Sequence, residues 1–582
     1  QAAAWARLRA TPRGERRVAL ILGNYPNRDG RIGNGVGLDT PESVAVIGSS
    51  LAEAGYDLGT DFPTSGAGLM ARVTAGATNQ IEGRRARRAG LTWPLARYRR
   101  AFARLPEAMQ AAVIERWGAV ENDPHITGDA FTLSGFRCGN AVVMVQPARG
   151  YDLDPAETWH DPALVPPHYY LATYFWMRDA DGFDAHALVH VGKHGTLEWL
   201  PGKGVALSSQ CWPEAVLGAL PTLYPFIIND PGEGTQAKRR SSAVIVDHLI
   251  PPLRRGGGDA GLAELERLID EWHQARQMDP RRCAPLQRDI LDRAGKSGLA
   301  QDAGLHPDLP IEEALRRLDG FVCTVKELQI RDGLHVFGRG PDGERENSLL
   351  AALARAPRGS GPSDDSLLRA LANDLELEFD PLTADPAEAW AGPRPACLIG
   401  DGVWRTQGDA VERLERLALR LVAREVAPEE SWFRTIAVLD RLEAKWRPAL
   451  AACGPAELHG LLLGLDGRRV PPGPSGAPTR GRPDLLPTGC NFYSVDGRML
   501  PTQAAWALGW RSAQELVERH AQQTGAWPKS LALSAWGTAT MRTGGDDVAQ
   551  ALALMGVRPV WEVGSGRVID LEILPAGLLD RP

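Results

Sequence analysis

The sequence has 582 residues, which accommodates about three to five domains with a large buried core and excludes a peptide hormone, a lone zinc finger or a small disulfide scaffold. Its 65 Lys and Arg against 72 Asp and Glu give a net charge of −7, which excludes the chain-wide positive field that holds nucleic acid or an anionic membrane. Any binding of anions must therefore be local.

Cysteine spacing and hydropathy indicate a cytoplasmic enzyme. The seven cysteines are widely spaced and form no CxxC pair, which favours reduced thiols over a disulfide framework. No apolar run approaches the roughly 18 residues of a membrane helix, and the start of the chain lacks the apolar stretch of a signal peptide. We therefore predict no membrane partner and no nucleic-acid partner.

The first part of the chain follows the order strand, glycine-rich loop and helix. The apolar run in 16–23 predicts a strand, and the periodic run in 42–55 predicts a helix that is capped by Asp39 or Thr40. Residues 84–117 predict an Arg-rich helical segment whose charges suit a solvated face.

Four short apolar runs between residues 140 and 250 are typical of strands buried on both faces of a parallel or mixed sheet. We predict an α/β, multidomain fold with Rossmann-like parallel or mixed sheets and a helical insertion. Its predicted parts are an α/β unit (1–82), an α/β core with the main motifs (83–255), a mostly helical region (256–460) and a C-terminal α/β unit (461–582).

The segment HVGKHGTLEWLPGK (190–203) carries ionisable groups where a predicted strand gives way to a loop, the end at which α/β sheets bind ligands. His190, His194 and Glu198 can hold a divalent cation or act as bases. The glycines between them oppose one continuous helix and HExxH is absent, so we reject a zincin site. Histidines satisfied by backbone hydrogen bonds are the alternative.

A second polar cluster, NDPGEGTQAKRR (229–240), follows the next apolar run. Its glycines expose backbone N–H groups, and its cations can pair with substrate carboxylates, arginine bidentately. A turn that leads into a capped helix is the alternative. The candidate binding residues are Asn229, Asp230, Glu233, Gln236, Lys238, Arg239 and Arg240.

Two further segments are weaker candidates. Residues 160–170 combine prolines, aromatic rings, His160 and His168, which can wall a cavity for a flat apolar ligand or form a stiff structural loop. Residues 486–498 alternate glycine turns with polar groups, Asn491 among them.

Nucleotide-binding motifs are incomplete. Gly295-Lys296 lacks the glycine that a phosphate loop requires at position 290, and the loop around Gly35 lacks the glycine that a dinucleotide fingerprint requires at position 38. We therefore predict that this chain neither hydrolyses ATP nor binds NAD.

Five long blocks resemble the large subunit of the aerobic cobaltochelatase, the CobN family, which is similar to the H subunit of magnesium chelatase. The blocks are RIGNGVGLDTPES (31–43), MVQPARGYDLDPAETWHDPALVPPH (144–168), HVGKHGTLEWLPGK (190–203), YPFIINDPGEGTQAKRRSSAVIVDHLIPP (224–252) and LPTGCNFYSVDGRMLPT (486–502). The KHG and NDPGEGTQAKRR motifs look closer to the cobalt branch than to the magnesium branch. Because the sequence starts at Gln1 without a Met, we expect it to be a central portion of a longer subunit.

The resemblance implies insertion of Co²⁺, the substrate metal, into hydrogenobyrinic acid a,c-diamide during cobalamin synthesis. It also implies two smaller partner subunits, one of them an AAA+ ATPase that carries ATP-Mg. This family usually has a basic residue at position 490, where Cys490 stands here, which puts a cation role at that position in doubt.

Metallation of such a ring requires temporary metal ligands, a base for the ring N–H protons and cations for the peripheral carboxylates. We expect Glu198, His194 and His190 to act in catalysis and to hold the metal. The expected substrate-binding residues are Lys193, Asn229, Asp230, Glu233, Gln236, Lys238, Arg239, Arg240, His168 and Asn491.

Three alternatives stay open on the sequence. A magnesium-chelatase-type subunit would insert Mg²⁺ into protoporphyrin IX, a non-catalytic carrier would bind a tetrapyrrole without metallating it, and a metallohydrolase would hold zinc permanently.

Overall fold

The computed structural model describes the protein except for residues 25–31, 36, 82–89, 151–162, 194, 205, 252–267, 269–282, 297–298, 303–304, 307–308, 310, 312–313, 316–317, 319–332, 356, 358–362, 364, 401–403, 480–481, 494–496, 537–539, 541–542, 562–567 and 580–582. The helices are α1 (Ala2–Ala10), α2 (Thr40–Glu53), α3 (Gly66–Ala75), α4 (Leu95–Phe102), α5 (Glu107–Trp117), α6 (His168–Arg178), α7 (Trp212–Leu217), α8 (Pro231–Arg240), α9 (Cys283–Lys296), α10 (Leu299–Asp302), α11 (Gly343–Ala354), α12 (Leu367–Asp374), α13 (Gln407–Val422), α14 (Phe433–Arg441), α15 (Arg447–Ala451), α16 (Cys453–Leu465), α17 (Gln503–Thr524), α18 (Asp546–Leu554) and α19 (Ala576–Leu579). No helix within these described ranges combines the length and the apolar character needed to cross a membrane.

The strands form one main sheet and four small ones. They are β1 (Val18–Leu22), β2 (Asn34–Gly35), β3 (Leu38–Asp39), β4 (Leu91–Pro94), β5 (Ile126–Thr127), β6 (Ala130–Leu133), β7 (Gly135–Cys138), β8 (Ala141–Val145), β9 (Ala187–Val191), β10 (Thr222–Ile227), β11 (Val244–His248), β12 (Pro472–Pro474), β13 (Asn491–Tyr493), β14 (Val557–Trp561) and β15 (Val568–Ile573). The main sheet has the order β11-β10-β9-β1-β8-β7. Its pairs are parallel except for the antiparallel hairpin of β7 and β8.

The central strands are buried on both faces, which explains their continuous apolar runs. Every residue of β1, β8 and β9 is buried. The register places Ile21 of β1 opposite Met144 on one side and opposite His190 on the other. The predicted α/β class with a mixed sheet is confirmed.

Alternate side chains of the sheet contribute to different cores. Val18, Leu20 and Leu22 of β1 pack with side chains of α2 and α16, whereas Ala19 and Ile21 pack in a core that includes α6. The inner side chains of β10 and β11 join a third core with α11 to α14. The helices thus cover both faces of the sheet and leave the carboxyl ends of its strands for loops.

Helix α2, which was predicted after the first loop, begins directly after a capping residue. Asp39 Oδ1 accepts the N–H of Glu42 at 3.1 Å, and a proline occupies the first turn. Asp39 rather than Thr40 is therefore the capping residue.

The structure divides the chain differently from the sequence prediction. Residues 1–82 and 83–255 share one sheet, since β1 lies between β8 and β9. One compact unit comprises 1–250 and 335–582, and 251–334 forms the other. Local sequence patterns could not show this because strand pairing is a long-range property.

The Arg-rich segment also differs in detail. Its residues Leu91–Pro94 form a strand that pairs with β6, whereas α4 and α5 follow as helices. Trp93 faces the core from this strand, and Pro94 ends it before α4. The first part of the segment, 84–89, lies outside the described residues.

Buried carboxylates attach the chain after α16 to the end of β11. Asp247 Oδ1 accepts the N–H groups of Gly489 at 2.7 Å and Cys490 at 2.8 Å. Glu457 of α16 is fully buried and accepts hydrogen bonds from Thr488 Oγ1 at 2.7 Å and the N–H of Leu249 at 3.1 Å. The turn next to Asn491 is therefore fixed by two acceptors from the core.

We predict that Asp247→Asn gains stability relative to the wild type as the pH rises from about 4 to about 7. Burial raises the pKa of Asp247 from 3.8 to about 7, so the native state binds this proton more tightly than the unfolded chain. The free energy of unfolding of the wild type therefore falls by up to about 4 kcal/mol between these pH values and is level above them. An amide oxygen still accepts both N–H bonds.

Thermal unfolding of both proteins between pH 4 and pH 8 checks this prediction. The amide N–H₂ of the variant changes its stability by an amount that does not depend on pH. The test is therefore how the stability difference between the two proteins changes with pH. A difference that stays constant over the whole range would contradict a raised Asp247 pKa.

Candidate functional site

The loop that leaves β9 turns sharply at Gly192. This glycine has a φ of +106°, a region that side chains with a Cβ rarely adopt, and a Cβ there would lie 3.0 Å from Thr40 Oγ1. The N–H of Gly23 donates to the carbonyl of Val191 at 2.8 Å. The end of β1 and the start of α2 therefore fix the path of the loop.

A buried ion pair joins this loop to the one that follows β10. The Lys193 ammonium donates to the Asp230 carboxylate, and its Nζ lies 3.6 Å from Glu233 Oε2. Lys193 is 9% exposed and Asp230 is 7% exposed. The two main motifs of the sequence thus meet in space, and the Lys193 charge is already balanced within the protein.

Glu198 is a buried carboxyl group in the same loop. It lies in the short 3₁₀ turn Leu197–Trp199 and is only 4% exposed. Its carboxylate lies against the Cα of Gly195, since a Cβ at that position would be 2.6 Å from Oε2. Burial raises the pKa of Glu198 to about 7, and the nearby Glu233 charge adds to the rise.

Arg240 supports the turn that carries Glu198. Its guanidinium donates to the carbonyl of Glu198 at 2.9 Å and to that of Leu200 at 2.6 Å. Both acceptors are backbone atoms and Arg240 is 8% exposed. In the described structure this arginine therefore holds the protein's own loop.

One face of α8 is turned toward the Glu198 loop. Glu233 lies near Lys193 and Arg240 bonds the Glu198 turn, so the residues at helical spacing between them share this face. Gln236 is the half-buried polar residue in that position. Asn229, also half-buried, precedes the Asp230 cap of the helix.

Three buried tyrosines lie within electrostatic reach of the Glu198 carboxyl. Burial raises the pKa of Tyr170, Tyr174 and Tyr224, and the Glu198 charge contributes to the rise in each of them. Thr196 Oγ1 lies 2.9 Å from the Tyr170 hydroxyl and accepts from Gln146 Nε2 at 3.0 Å. The carboxyl group therefore lies in an aromatic and largely water-free surrounding.

His190 contributes a neutral imidazole to the same region. Burial lowers the pKa of His190 to about 4, and its ring meets the Tyr224 ring edge-on with 4.4 Å between centroids. Its Nε2 is buried and has no hydrogen-bond partner among the residues that the structure describes. An uncharged nitrogen of this kind can serve as a metal ligand.

His168 lies away from this group. Its Nδ1 is 2.6 Å from the Tyr98 hydroxyl and its Nε2 is 3.1 Å from the carbonyl of Gly118. Burial lowers its pKa, and its ring packs against Phe102. Both ring nitrogens are used within the core, so the geometry gives His168 a structural position. His160, in the same motif, lies outside the described residues.

The cations at the end of α8 have different surroundings. Lys238 Nζ donates to Asn491 Oδ1 and to the carbonyl of Phe492, both at 2.6 Å. These two bonds tie α8 to β13 and use the Asn491 side chain internally. Arg239 is exposed, and its guanidinium makes no hydrogen bond or ion pair with any described residue.

The described residues alone do not form a complete metal site. Within them, no three His, Cys, Asp or Glu side chains are arranged to hold a metal ion. His194, the third member of the expected ligand set, lies outside the described residues. The buried Glu198 and His190 are therefore two candidate ligands.

Sequence reasoning missed the polar groups that come from inside the fold. Gln146, Tyr174 and Tyr224 lie in or next to apolar runs that are typical of core. Tyr170 belongs to the proline-rich motif, but the motif alone does not separate it from Tyr169, which contacts Ser134. Only the packing of α6 on the sheet shows that the Tyr170 hydroxyl bonds Thr196 in the loop after β9.

The whole chain, residues 1–582, matches the family model described as CobN/Magnesium Chelatase. It is 53% identical, over 99% of its length, to the aerobic cobaltochelatase subunit CobN of Pseudomonas aeruginosa and covers 47% of that protein. It is 30% identical to the H subunit of the magnesium chelatase of Chlorobaculum parvum, with 99% of this chain and 45% of that protein covered. The chain thus spans about half the length of these relatives.

A solved structure agrees with these relationships. The catalytic subunit of cobaltochelatase from Mycobacterium tuberculosis aligns with a TM-score of 0.65 and 37% sequence identity, covering 100% of this chain and 48% of that one. The chain therefore belongs to the CobN/magnesium chelatase family.

Proposed function

We propose that this chain is part of the large subunit of an ATP-dependent cobaltochelatase, and that Co²⁺ enters hydrogenobyrinic acid a,c-diamide beside Glu198. The observation that carries this proposal is a buried carboxyl group with a pKa of about 7 where the loops after β9 and β10 meet. The 53% identity to an aerobic cobaltochelatase subunit favours cobalt and a corrin-type ring. The enzyme acts in the cytoplasm, with ATP bound by an AAA+ partner subunit and a second small subunit completing the complex.

Glu198 accepts one proton from the ring. A divalent cation can enter only when the ring gives up N–H protons, and a base is most effective when its pKa lies near the working pH. Burial supplies this pKa. Glu198 is only 4% exposed, so its carboxyl group meets the ring with little water around it.

The substrate metal is guided by an imidazole and a carboxylate. His190 is uncharged at neutral pH because burial lowers its pKa to about 4, so its Nε2 has a free electron pair when that nitrogen carries no proton. Imidazole and carboxylate together suit a borderline divalent cation. His194 is the third proposed ligand, on the strength of its place in the KHG motif.

Few cations are free to bind the carboxylates of the ring. Lys193 is neutralised by Asp230 and Glu233, whereas Lys238 and Arg240 hold the protein's own backbone. Arg239 is the exposed cation of this segment and is the proposed carboxylate anchor. The amides of Asn229 and Gln236 offer donors to the amide and carboxylate groups of the ring.

A magnesium chelatase is the second candidate, and the 30% identity to the H subunit of such an enzyme supports it. Both reactions need the same base and a flat cavity, so Glu198 does not distinguish them. The peripheral groups of the two rings differ, which makes macrocycle binding the test between the two candidates.

We predict that Glu198→Gln in the full-length subunit lowers the rate of cobalt insertion by at least about 100-fold, because the amide cannot accept a proton from the ring. Macrocycle affinity should change by less than about twofold, since the amide keeps the size of the carboxyl group. Insertion is followed by the absorbance of the metallated ring, with partner subunits and ATP present. Glu53→Gln, at the exposed end of α2, is the matched control and should insert cobalt normally. Normal insertion by Glu198→Gln would remove Glu198 from the reaction.

We predict that the subunit binds hydrogenobyrinic acid a,c-diamide at least about tenfold more tightly than protoporphyrin IX, a difference of about 1.4 kcal/mol. The reason is that a corrin-type ring presents more carboxylate and amide groups to Arg239, Asn229 and Gln236. Fluorescence quenching and absorbance titrations give both dissociation constants. Tighter binding of protoporphyrin would favour the magnesium chelatase, and binding of neither ring would contradict both candidates.

A further inference from the structure

The hydroxyl of Tyr224 bonds to both ends of the Lys193 loop. It accepts the N–H of Gly195 at 2.8 Å and donates to the carbonyl of Gly192 at 3.4 Å. Tyr224 is 2% exposed and comes from β10, the neighbouring strand. The two bonded glycines stand on either side of Lys193, so a single hydroxyl bonds the backbone before and after this lysine.

The ring of Tyr224 contacts two other rings. It meets the His190 imidazole with 4.4 Å between centroids and an interplanar angle of 67°. It also meets the Phe226 ring at 4.9 Å. Tyr224 is thus in contact with the strand that precedes the loop and with the loop itself.

Other contacts restrain the loop only in part. The Lys193 side chain is bound to Asp230, which orients the side chain but does not bond the backbone. Glu198 lies against the Cα of Gly195, a position that depends on where this glycine is held. Glycines have the widest backbone freedom of all residues, so a loop between two of them needs an outside partner to adopt one conformation.

We infer that Tyr224 is a positioning residue for metal insertion: its hydroxyl holds Gly192 and Gly195 so that Lys193, His190 and the Glu198 carboxyl keep one geometry. This inference rests on the proposed function and adds a residue that does not itself bind metal or ring. Small displacements of reacting groups lower rates strongly. Loss of the hydroxyl therefore lowers turnover more than it lowers macrocycle binding.

The test uses Tyr224→Phe in the full-length subunit, which removes one oxygen and leaves the ring in place. We expect turnover in cobalt insertion to fall at least about tenfold, with the macrocycle dissociation constant within about twofold of the wild type. Hydrogen exchange of the peptide that contains Gly195 should become at least about tenfold faster in the absence of ring and metal.

Tyr169→Phe is the matched control. The Tyr169 hydroxyl is also buried and accepts a backbone N–H, that of Ser134, at 3.0 Å. The two variants should lose similar stability, but only Tyr224→Phe should lose turnover and show faster exchange at Gly195.

Three results would overturn the inference: wild-type turnover in Tyr224→Phe, an equal loss of turnover in Tyr169→Phe, or a loss of ring affinity as large as the loss of turnover. If the wild-type subunit inserts no cobalt, the proposed function fails. The loop restraint is then judged by exchange alone, and unchanged exchange at Gly195 overturns it.

Discussion

The buried ion pair of Lys193 with Asp230 is the constraint on which the site depends. It joins the loops after two adjacent strands of a parallel sheet, at the end where such folds bind ligands. A buried pair of this kind contributes little net stability, but loss of one partner leaves an unpaired charge inside the protein. Its consequence is geometric, because Glu233 and the face of α8 are brought to the Glu198 loop.

This arrangement uses most of the local charge to build the site. Of the cations in the two motifs, Lys193 balances carboxylates, and Arg240 and Lys238 bond backbone carbonyls. Among the carboxyl groups of the two motifs, Glu198 is the buried one without a cation bonded to its oxygens in the described structure, and burial raises its pKa. The proposed chemistry follows from this contrast between the paired Asp230 and a buried carboxyl group whose pKa is near 7.

Much of this could be predicted from the sequence, and the rest required the fold. The apolar runs predicted strands buried on both faces, and the motifs after them placed His190, Glu198 and Asp230 at the ends of strands. The pairing of β1 between β8 and β9 could not be predicted, since it joins residues more than a hundred positions apart. The role of a polar side chain also depends on the group to which it is hydrogen-bonded. His168 and Lys238 have the residue types of a binding site, but His168 bonds a tyrosine hydroxyl in the core and Lys238 bonds the backbone of β13.

The central claim is that the ring lies where the loops after β9 and β10 meet. A structure of the full-length subunit with hydrogenobyrinic acid a,c-diamide bound tests it most directly. The account predicts the centre of the ring next to the Glu198 carboxyl and the His190 imidazole, with Arg239 at a peripheral carboxylate. A ring bound elsewhere, with Glu198 still enclosed by its tyrosines and out of reach, would contradict it.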